Sequence, residues 1–268
     1  MAASLVVAGG GRMGGALVTG LLDRGGWPAE ELAVVEPDEG RRADLVAAHP
    51  GLCVVDAPSA SLAGPDAGAV LAVKPEVAEP ACRDLGAAGM RRVLSVVAGM
   101  PAARLEAVLP DGAVVVRAMP NMPALVGAGV SAVCGGSNAG AADLAWAERV
   151  LGAVGAVVRV PERHLDAVTA LSGSGPAYVF LVVEALVEAG VLAGLPRGLS
   201  STLAVETLKG AAALLDQTGA APESLRADVT SPGGTTAAGI RALEARGVRS
   251  AFIEAVLAAA ERSRALAR

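Results

Sequence analysis

The sequence predicts an α/β chain in two parts: a doubly wound parallel sheet over residues 1–160, followed by an all-helical part over residues 161–268. Three observations carry that reading. Short, continuously apolar, β-rich runs alternate with helical stretches as far as Val160 and then stop. The runs lack the apolar–polar alternation of a half-solvated sheet, so both faces of each strand must be covered. A glycine-rich loop joins the first run to the first helix, as in dinucleotide-binding units.

Taken in order, the strands are expected at residues 5–8, 32–35, 69–73, 93–98, 114–116, 130–134 and 154–160. Between the first of them, residues 13–22 carry Leu17, Leu21 and Leu22 at helical spacing, and residues 39–48 form a second helix. After Val160, residues 165–171, 177–189, 197–215, 235–245 and 251–267 have helical spacing or composition. Pro176 suits the first position of its helix, where a missing N–H costs nothing. The helical part has long Ala/Leu/Val faces and few aromatics, which implies a core shared with a second copy, a homodimer at minimum.

A chain of 268 residues makes one large domain or two ordinary ones. Hydrophobic residues make up 53% but aromatics only 2%, so the core must be built from Ala, Val and Leu. A net charge of −5 argues against a nucleic-acid partner, which needs a basic face. The apolar run at residues 5–11 has no basic leader, so no secretion signal is expected. The uncharged runs at residues 118–142 and 167–183 are broken by Pro, Gly and Asn or by Ser-Gly-Ser-Gly-Pro, so no membrane span is expected. Cys53, Cys82 and Cys134 are odd in number, scattered and without histidine partners. They read as three reduced thiols of a cytoplasmic protein, with no metal site.

Two loops carry the chemistry. Gly9, Gly11 and Gly14 form G-x-G-x-x-G between strand and helix. The first glycine allows the tight turn, the second lets a pyrophosphate approach, and the third lets the helix pack on the strand. Glu36 ends the second strand, where a carboxylate can accept from the adenosine ribose hydroxyls and favour NAD. Arg41 and Arg42 follow and could instead favour a 2′-phosphate, so NADPH and NADH both remain open. Far along the chain, Ser231-Pro232-Gly233-Gly234-Thr235-Thr236 joins an anion nest to a helix start, with hydroxyl donors in the first turn.

The inventory of ionisable groups narrows the reaction. There are two histidines, His49 and His164, and two lysines, Lys74 and Lys209. His49 reads as structural, and His164 is a weak candidate at the domain junction. Alcohol oxidation wants an ionisable base. Reduction of an imine that arrives protonated needs mainly alignment of hydride donor and electrophilic carbon.

The chain resembles the pyrroline-5-carboxylate reductases over nearly its whole length. The resemblance rests on the Gly9–Gly14 loop, Ala72-Val73-Lys74-Pro75, Ser95-Val96-Val97-Ala98-Gly99 and Arg117-Ala118-Met119-Pro120-Asn121-Met122-Pro123. It continues in Leu171-Ser172-Gly173-Ser174-Gly175-Pro176-Ala177-Tyr178, Gly194-Leu195-Pro196-Arg197 and residues 229–239. It implies a Rossmann-type domain, a helical dimerisation domain, substrate between them, and hydride transfer from NADPH or NADH to pyrroline-5-carboxylate, giving proline. It further implies that Ala8, Gly9, Gly10, Gly11, Arg12 and Met13 bind pyrophosphate, with Gly14 completing the cofactor loop, and that Glu36, Pro37 and Asp38 face the adenosine ribose. Ser59 stands where relatives often have asparagine for that same region. Ala72, Val73, Lys74, Pro75, Val97, Ala98 and Asn121 are implied on the nicotinamide side. Ser231, Gly233, Gly234 and Thr235 would hold the substrate carboxylate, Thr236 the ring nitrogen, and Thr169 a pocket wall. Members of the family form dimers and often decamers. Two rivals stay open: a reductase of a related cyclic imine or hydroxy acid, and a nucleotide-sensing module without turnover.

Overall fold

The computed structural model describes residues 3–266, which fall into two compact units. Of the described residues, the first comprises those through Ser174 together with 259–266; the second is Gly175–Ala258.

The first unit is built on an eight-stranded sheet: β1 (Ala3–Ala8), β2 (Leu32–Val35), β3 (Cys53–Val55), β4 (Ala63–Leu71), β5 (Arg92–Ser95), β6 (Val114–Met119), β7 (Gly129–Gly135) and β8 (Gly155–Arg159). Their order is β3-β2-β1-β4-β5-β6-β7-β8. The first six follow the doubly wound dinucleotide-binding order. Leu5 and Val7 of β1 and Leu32 and Val34 of β2 point to one face, where they meet Leu17, Val18 and Leu21 of α1 (Arg12–Asp23). Val6, Ala8, Ala33 and Val35 point to the other face, which holds Cys82 and Leu85. Strand side chains alternate faces, so a strand covered on both sides must be apolar at every position. Each fully buried Val or Leu stabilises the fold by about 1.5–3 kcal/mol relative to exposure.

The remaining helices of this unit are α2 (Glu39–Ala48), α3 (Ala78–Ala87), α4 (Ala102–Glu106), α5 (Ala141–Gly152) and α6 (Leu165–Val168), the last running into a π-helical turn at Thr169–Gly173. The sheet departs from the all-parallel expectation at one place: β6 and β7 are antiparallel. Residues 120–128 between them hold only the short 3-10 turn Met122–Val126, too little for the crossover that parallel pairing needs. β3 carries no signal of its own, being a short, partly exposed Cys-Val-Val held by parallel pairing with β2. β4 and β5 stop at Leu71 and Ser95. The segments expected as strand ends, Ala72-Val73 and Val97-Ala98, therefore lie just past the carboxyl ends, where open sheets bind ligands.

The compact units part at Ser174/Gly175, so residues 161–174 lie with the first of them. Several contacts hold the intervening segment to the sheet. Leu165 is buried beside Ala132 and Cys134, Arg117 pairs with Glu162 at 3.1 Å, and Asn121 Nδ2 donates to Ser172 O at 3.1 Å. Ser263 Oγ donates to Asp166 Oδ1 at 2.7 Å, which keeps the chain end with this unit.

The second unit is helical: α7 (Gly175–Leu192), α8 (Arg197–Thr218), α9 (Pro222–Asp228), α10 (Thr235–Ala245) and the start of α11 (Val248–Leu266). The sequence reading missed α9, and the helix end expected at Ala267 lies outside the described residues. α7 and α8 pack closely because Gly190 leaves room for Ser200, whose Oγ donates to Val187 O at 2.8 Å. Large apolar side chains remain exposed on these helices, among them Phe180, Leu181, Leu192, Leu203, Ile253 and Leu257. The helical stretch Glu162–Leu192 is long and apolar enough to cross a membrane, against the expectation that none is. Its apolarity lies largely in exposed positions of this kind, which a subunit contact produces equally well.

Candidate active site

The glycine loop turns where β1 ends. Gly9 has φ +100°, a left-handed conformation that glycine alone adopts without strain, and its N–H donates to Val35 O at 2.8 Å. A Cβ on Gly9 would lie 2.6 Å from Ala72 O, and one on Gly14 only 1.8 Å from Gly9 O. Gly14 is thus what lets α1 lie against the turn. Gly11, the residue before α1, is different: a Cβ there would meet nothing within 4 Å. The chain itself does not require glycine at Gly11, and the open space faces the amino terminus of α1, where an anion is stabilised by free N–H groups and the helix dipole. Arg12 and Met13 form the first turn of that helix.

Beside this loop, Ala8, Gly9, Val35, Pro37 and Val73 line a largely apolar cleft of about 300 Å³. Asp56, Pro58, Val77 and Ala81 are also among its lining residues. None of these four was singled out in the sequence, because they converge from the β3 end, from the 3-10 turn Pro75–Val77 and from α3 and carry no motif. Val73 and Pro37 share this cleft. Ser59 lines a neighbouring hollow with Ala57 and Asp84, its hydroxyl 3.1 Å from that of Ser61. The glycine cradle and the adjoining apolar cleft fit a dinucleotide.

Glu36 stands where the sequence placed it, but turned inward. The residue is 3% exposed. Its Oε2 accepts from Gly10 N at 2.8 Å, while Oε1 accepts from Asp38 N at 3.0 Å and from Arg41 at 2.9 Å. Burial opposes ionisation, yet the Arg41 guanidinium and the two backbone N–H groups outweigh it and hold the carboxyl below its ordinary value. Glu36 therefore braces the loop, both of its oxygens accepting from internal donors. Asp38 caps α2 by accepting from Arg41 N at 2.8 Å. Pro37 and Glu36 give their carbonyls to Arg42, at 2.8 and 3.0 Å.

At the carboxyl edge of the sheet, Pro75, Ala98, Gly99, Thr169, Arg262 and Ser263 converge on a second cavity of about 460 Å³. Thr169 sits in the π-helical turn, and its hydroxyl donates to Leu165 O at 2.8 Å. Such turns are frequent at functional sites. Arg262 and Ser263 escape sequence reading because they arrive from the far end of the chain. Lys74 is exposed at the start of the 3-10 turn Pro75–Val77. Val97 N lies 3.4 Å from Ser95 Oγ, behind Ala98. Asn121 is also committed internally: its Oδ1 accepts from Val130 N at 2.9 Å while Nδ2 holds Ser172. Of the two histidines, His49 Nε2 lies 3.2 Å from Thr19 Oγ1, the structural role expected for it.

In the second unit, Ser231 O accepts from Gly234 N at 3.0 Å, closing a turn in which Gly233 has φ +71°. Gly234 is the residue before α10 and has no side chain to cap it. Helix geometry leaves the N–H groups of Thr235, Thr236 and Ala237 without intrahelical partners. Thr235 and Ser231 are exposed and Thr236 is half-buried. Backbone and hydroxyl donors thus gather at one helix start, with no cation among residues 231–236.

Comparison with known proteins agrees with both halves. Residues 162–266 match the family model described as pyrroline-5-carboxylate reductase dimerisation. Residues 4–99 match the one described as NADP oxidoreductase coenzyme F420-dependent. The chain is 43% identical to a pyrroline-5-carboxylate reductase of Synechocystis, with 99% of each chain covered. It is 45% identical to that of Mycobacterium tuberculosis, over 98% of this chain and 97% of the relative. Among solved structures, the Coxiella burnetii pyrroline-5-carboxylate reductase superposes with a TM-score of 0.91 at 32% identity, covering 100% of both chains. A Plasmodium falciparum pyrroline carboxylate reductase with NADP bound gives 0.85 at 29% identity, over 99% of this chain and 98% of that one.

Proposed function

We infer from the chain's membership of the pyrroline-5-carboxylate reductase family that it reduces (S)-1-pyrroline-5-carboxylate to L-proline with NADPH or NADH. The observation that carries this is a dinucleotide cradle and an uncapped, hydroxyl-rich helix start in one chain that matches reductase relatives from end to end. The bound nicotinamide supplies a hydride to the electrophilic imine carbon. As that bond forms, the C=N π pair moves onto the already protonated ring nitrogen, which becomes the amine of proline. No ionisable protein base is needed at this step, in keeping with the scarcity of histidine and lysine.

In this reading, Gly9, Gly10, Gly11, Arg12, Met13 and Gly14 hold the pyrophosphate through backbone N–H groups. Pro37, Asp38 and Val73 flank the adenosine half, with Glu36 bracing the loop and Ser59 near it. Ala72, Lys74, Pro75, Val97 and Ala98 border the nicotinamide half, and Asn121 fixes the backbone behind them. Ser231, Gly233, Gly234 and Thr235 bind the substrate carboxylate, and Thr236 orients the ring nitrogen by a hydrogen bond. Thr169 contributes a wall of the cavity beside Ala98.

The family match beginning at residue 162 supports 160/161 as the functional boundary between cofactor and dimerisation domains. Exposed apolar positions on α7, α8 and α11 support a homodimer, with larger assemblies such as a decamer built from it. The three unpaired cysteines suit a cytoplasmic location. The test is to supply purified, folded protein with the cyclic imine and each reduced nucleotide, then follow nucleotide absorbance and proline. No turnover with either nucleotide removes the assignment.

A further inference from the structure

We propose that Asp166 is a positioning residue for the reduction: its carboxylate holds Ser263, and through it the end of α11, as one wall of the cavity beside Ala98 and Thr169. The proposal rests on the reading above of that cavity as the place where the imine meets the nicotinamide, and it deepens that reading.

The cavity is bounded by Ala98 at the sheet edge and by Thr169 in the π-helical turn. The end of α11 supplies a further wall through Ala259, Arg262, Ser263 and Leu266. These four recur at i, i+3, i+4 and i+7, so they form one face of the helix. Packing anchors that face only weakly. In all of α11 the buried residues are Ala260 and Ser263, and neither brings a large apolar side chain to the contact. What fixes the helix end is polar. Ser263, 7% exposed, donates from Oγ to Asp166 Oδ1 at 2.7 Å. Among the described residues, this is the one side-chain hydrogen bond that ties residues 259–266 to the rest of the unit. A hydroxyl bound to a carboxylate is short, charge-assisted and roughly twice as strong as a neutral pair. Asp166 lies in α6, one turn before Thr169 in the same continuous helical stretch. The bond therefore sets the spacing between the two segments that carry Thr169 and Arg262 to the cavity. Asp166 does not line the cavity and acts through Ser263. With the bond removed, the helix end loses its fixed place, and a shift of about 1 Å at a reacting pair costs about 100-fold in rate.

The test is a double-mutant cycle on the single-turnover rate of hydride transfer from bound reduced nucleotide to the cyclic imine. Ser263→Ala and Asp166→Ala should each slow that step by about 10- to 100-fold. The double variant should be no slower than either one, because both remove the same bond. Asp166→Asn keeps an acceptor for the hydroxyl and should restore most of the rate. ADP-ribose, the nucleotide without its nicotinamide, should bind all variants within a few-fold of wild type by calorimetry. Wild-type rates in Ser263→Ala, losses that multiply in the double variant, or a matching loss of ADP-ribose affinity overturn the proposal. Should Asp166→Ala not fold, Ser263→Ala alone decides, by whether hydride transfer slows while ADP-ribose affinity holds. Wild type that reduces no imine removes the reductase reading and this role with it. Wild type that does, with the variants its equal, overturns the positioning role alone.

Discussion

Replacing Gly11 by alanine should separate cofactor binding from folding, and Gly14→Ala should not. The difference follows from what each added methyl would meet. At Gly14 the Cβ would sit 1.8 Å from Gly9 O, about 1.5 Å inside ordinary contact, so α1 must move off the strand or the turn must open. Overpacking of this kind costs about 3 kcal/mol, or roughly 6–12 °C in Tm for a domain of this size. At Gly11 the Cβ meets no protein atom within 4 Å, and φ −70°, ψ −165° is open to any residue. Its effect on stability should therefore stay within about 1 kcal/mol, with a weaker helix start offset by a less flexible unfolded chain. The same methyl projects into the space where a pyrophosphate would approach, displacing it from the α1 N–H groups and weakening reduced-nucleotide binding by about 100-fold if two such hydrogen bonds are lost. Thermal denaturation and fluorescence titration of bound NADPH measure the two quantities independently. A Gly11→Ala protein that binds the nucleotide as well as wild type would show that this loop does not carry the pyrophosphate.

Thr236→Ala should lower kcat/KM for the imine at least about tenfold, the worth of one hydrogen bond to a charged group; Thr236→Ser should retain most of it, and unchanged steady-state kinetics in the alanine variant would remove the hydroxyl from the reaction. Glu36 should make the protein acid-sensitive. Its folded pKa is lowered, so the stabilisation is present above the unfolded value of about 4.3 and is lost as pH falls through the folded one. Denaturant titrations at pH 7 and pH 3 should show a smaller acid loss for Glu36→Gln than for wild type, and parallel losses would show that the carboxylate does not report on the loop. The thiols should divide one against two: Cys53 is exposed, while burial pushes Cys82 up to about 12 and Cys134 up to about 11, the latter also through Glu162 and against Arg117. A disulfide reagent at pH 8 should label Cys53 rapidly and the other two only on unfolding, read by mass spectrometry.

By itself the sequence determined most of the sheet, because Leu5 to Ala8 and the runs like it must be apolar at every position once both faces are covered. It also determined α2 and α10 to the residue, since Asp38 and Gly234 are local punctuation that needs no distant partner. The two glycine loops were legible for the same reason: a positive φ or a forbidden Cβ leaves its mark on the residue that bears it. Only the tertiary structure decided the rest. The antiparallel turn of β7, the attachment of residues 162–174 to the sheet and the arrival of Arg262 beside Ala98 each depend on groups far apart in the chain. Glu36 is the sharpest case. Its place at the end of β2 could be read from the chain, but whether its carboxylate faces a ligand or the protein depends on three donors, Gly10, Asp38 and Arg41. Their convergence is a property of the folded loop, and no local pattern of residue types encodes it.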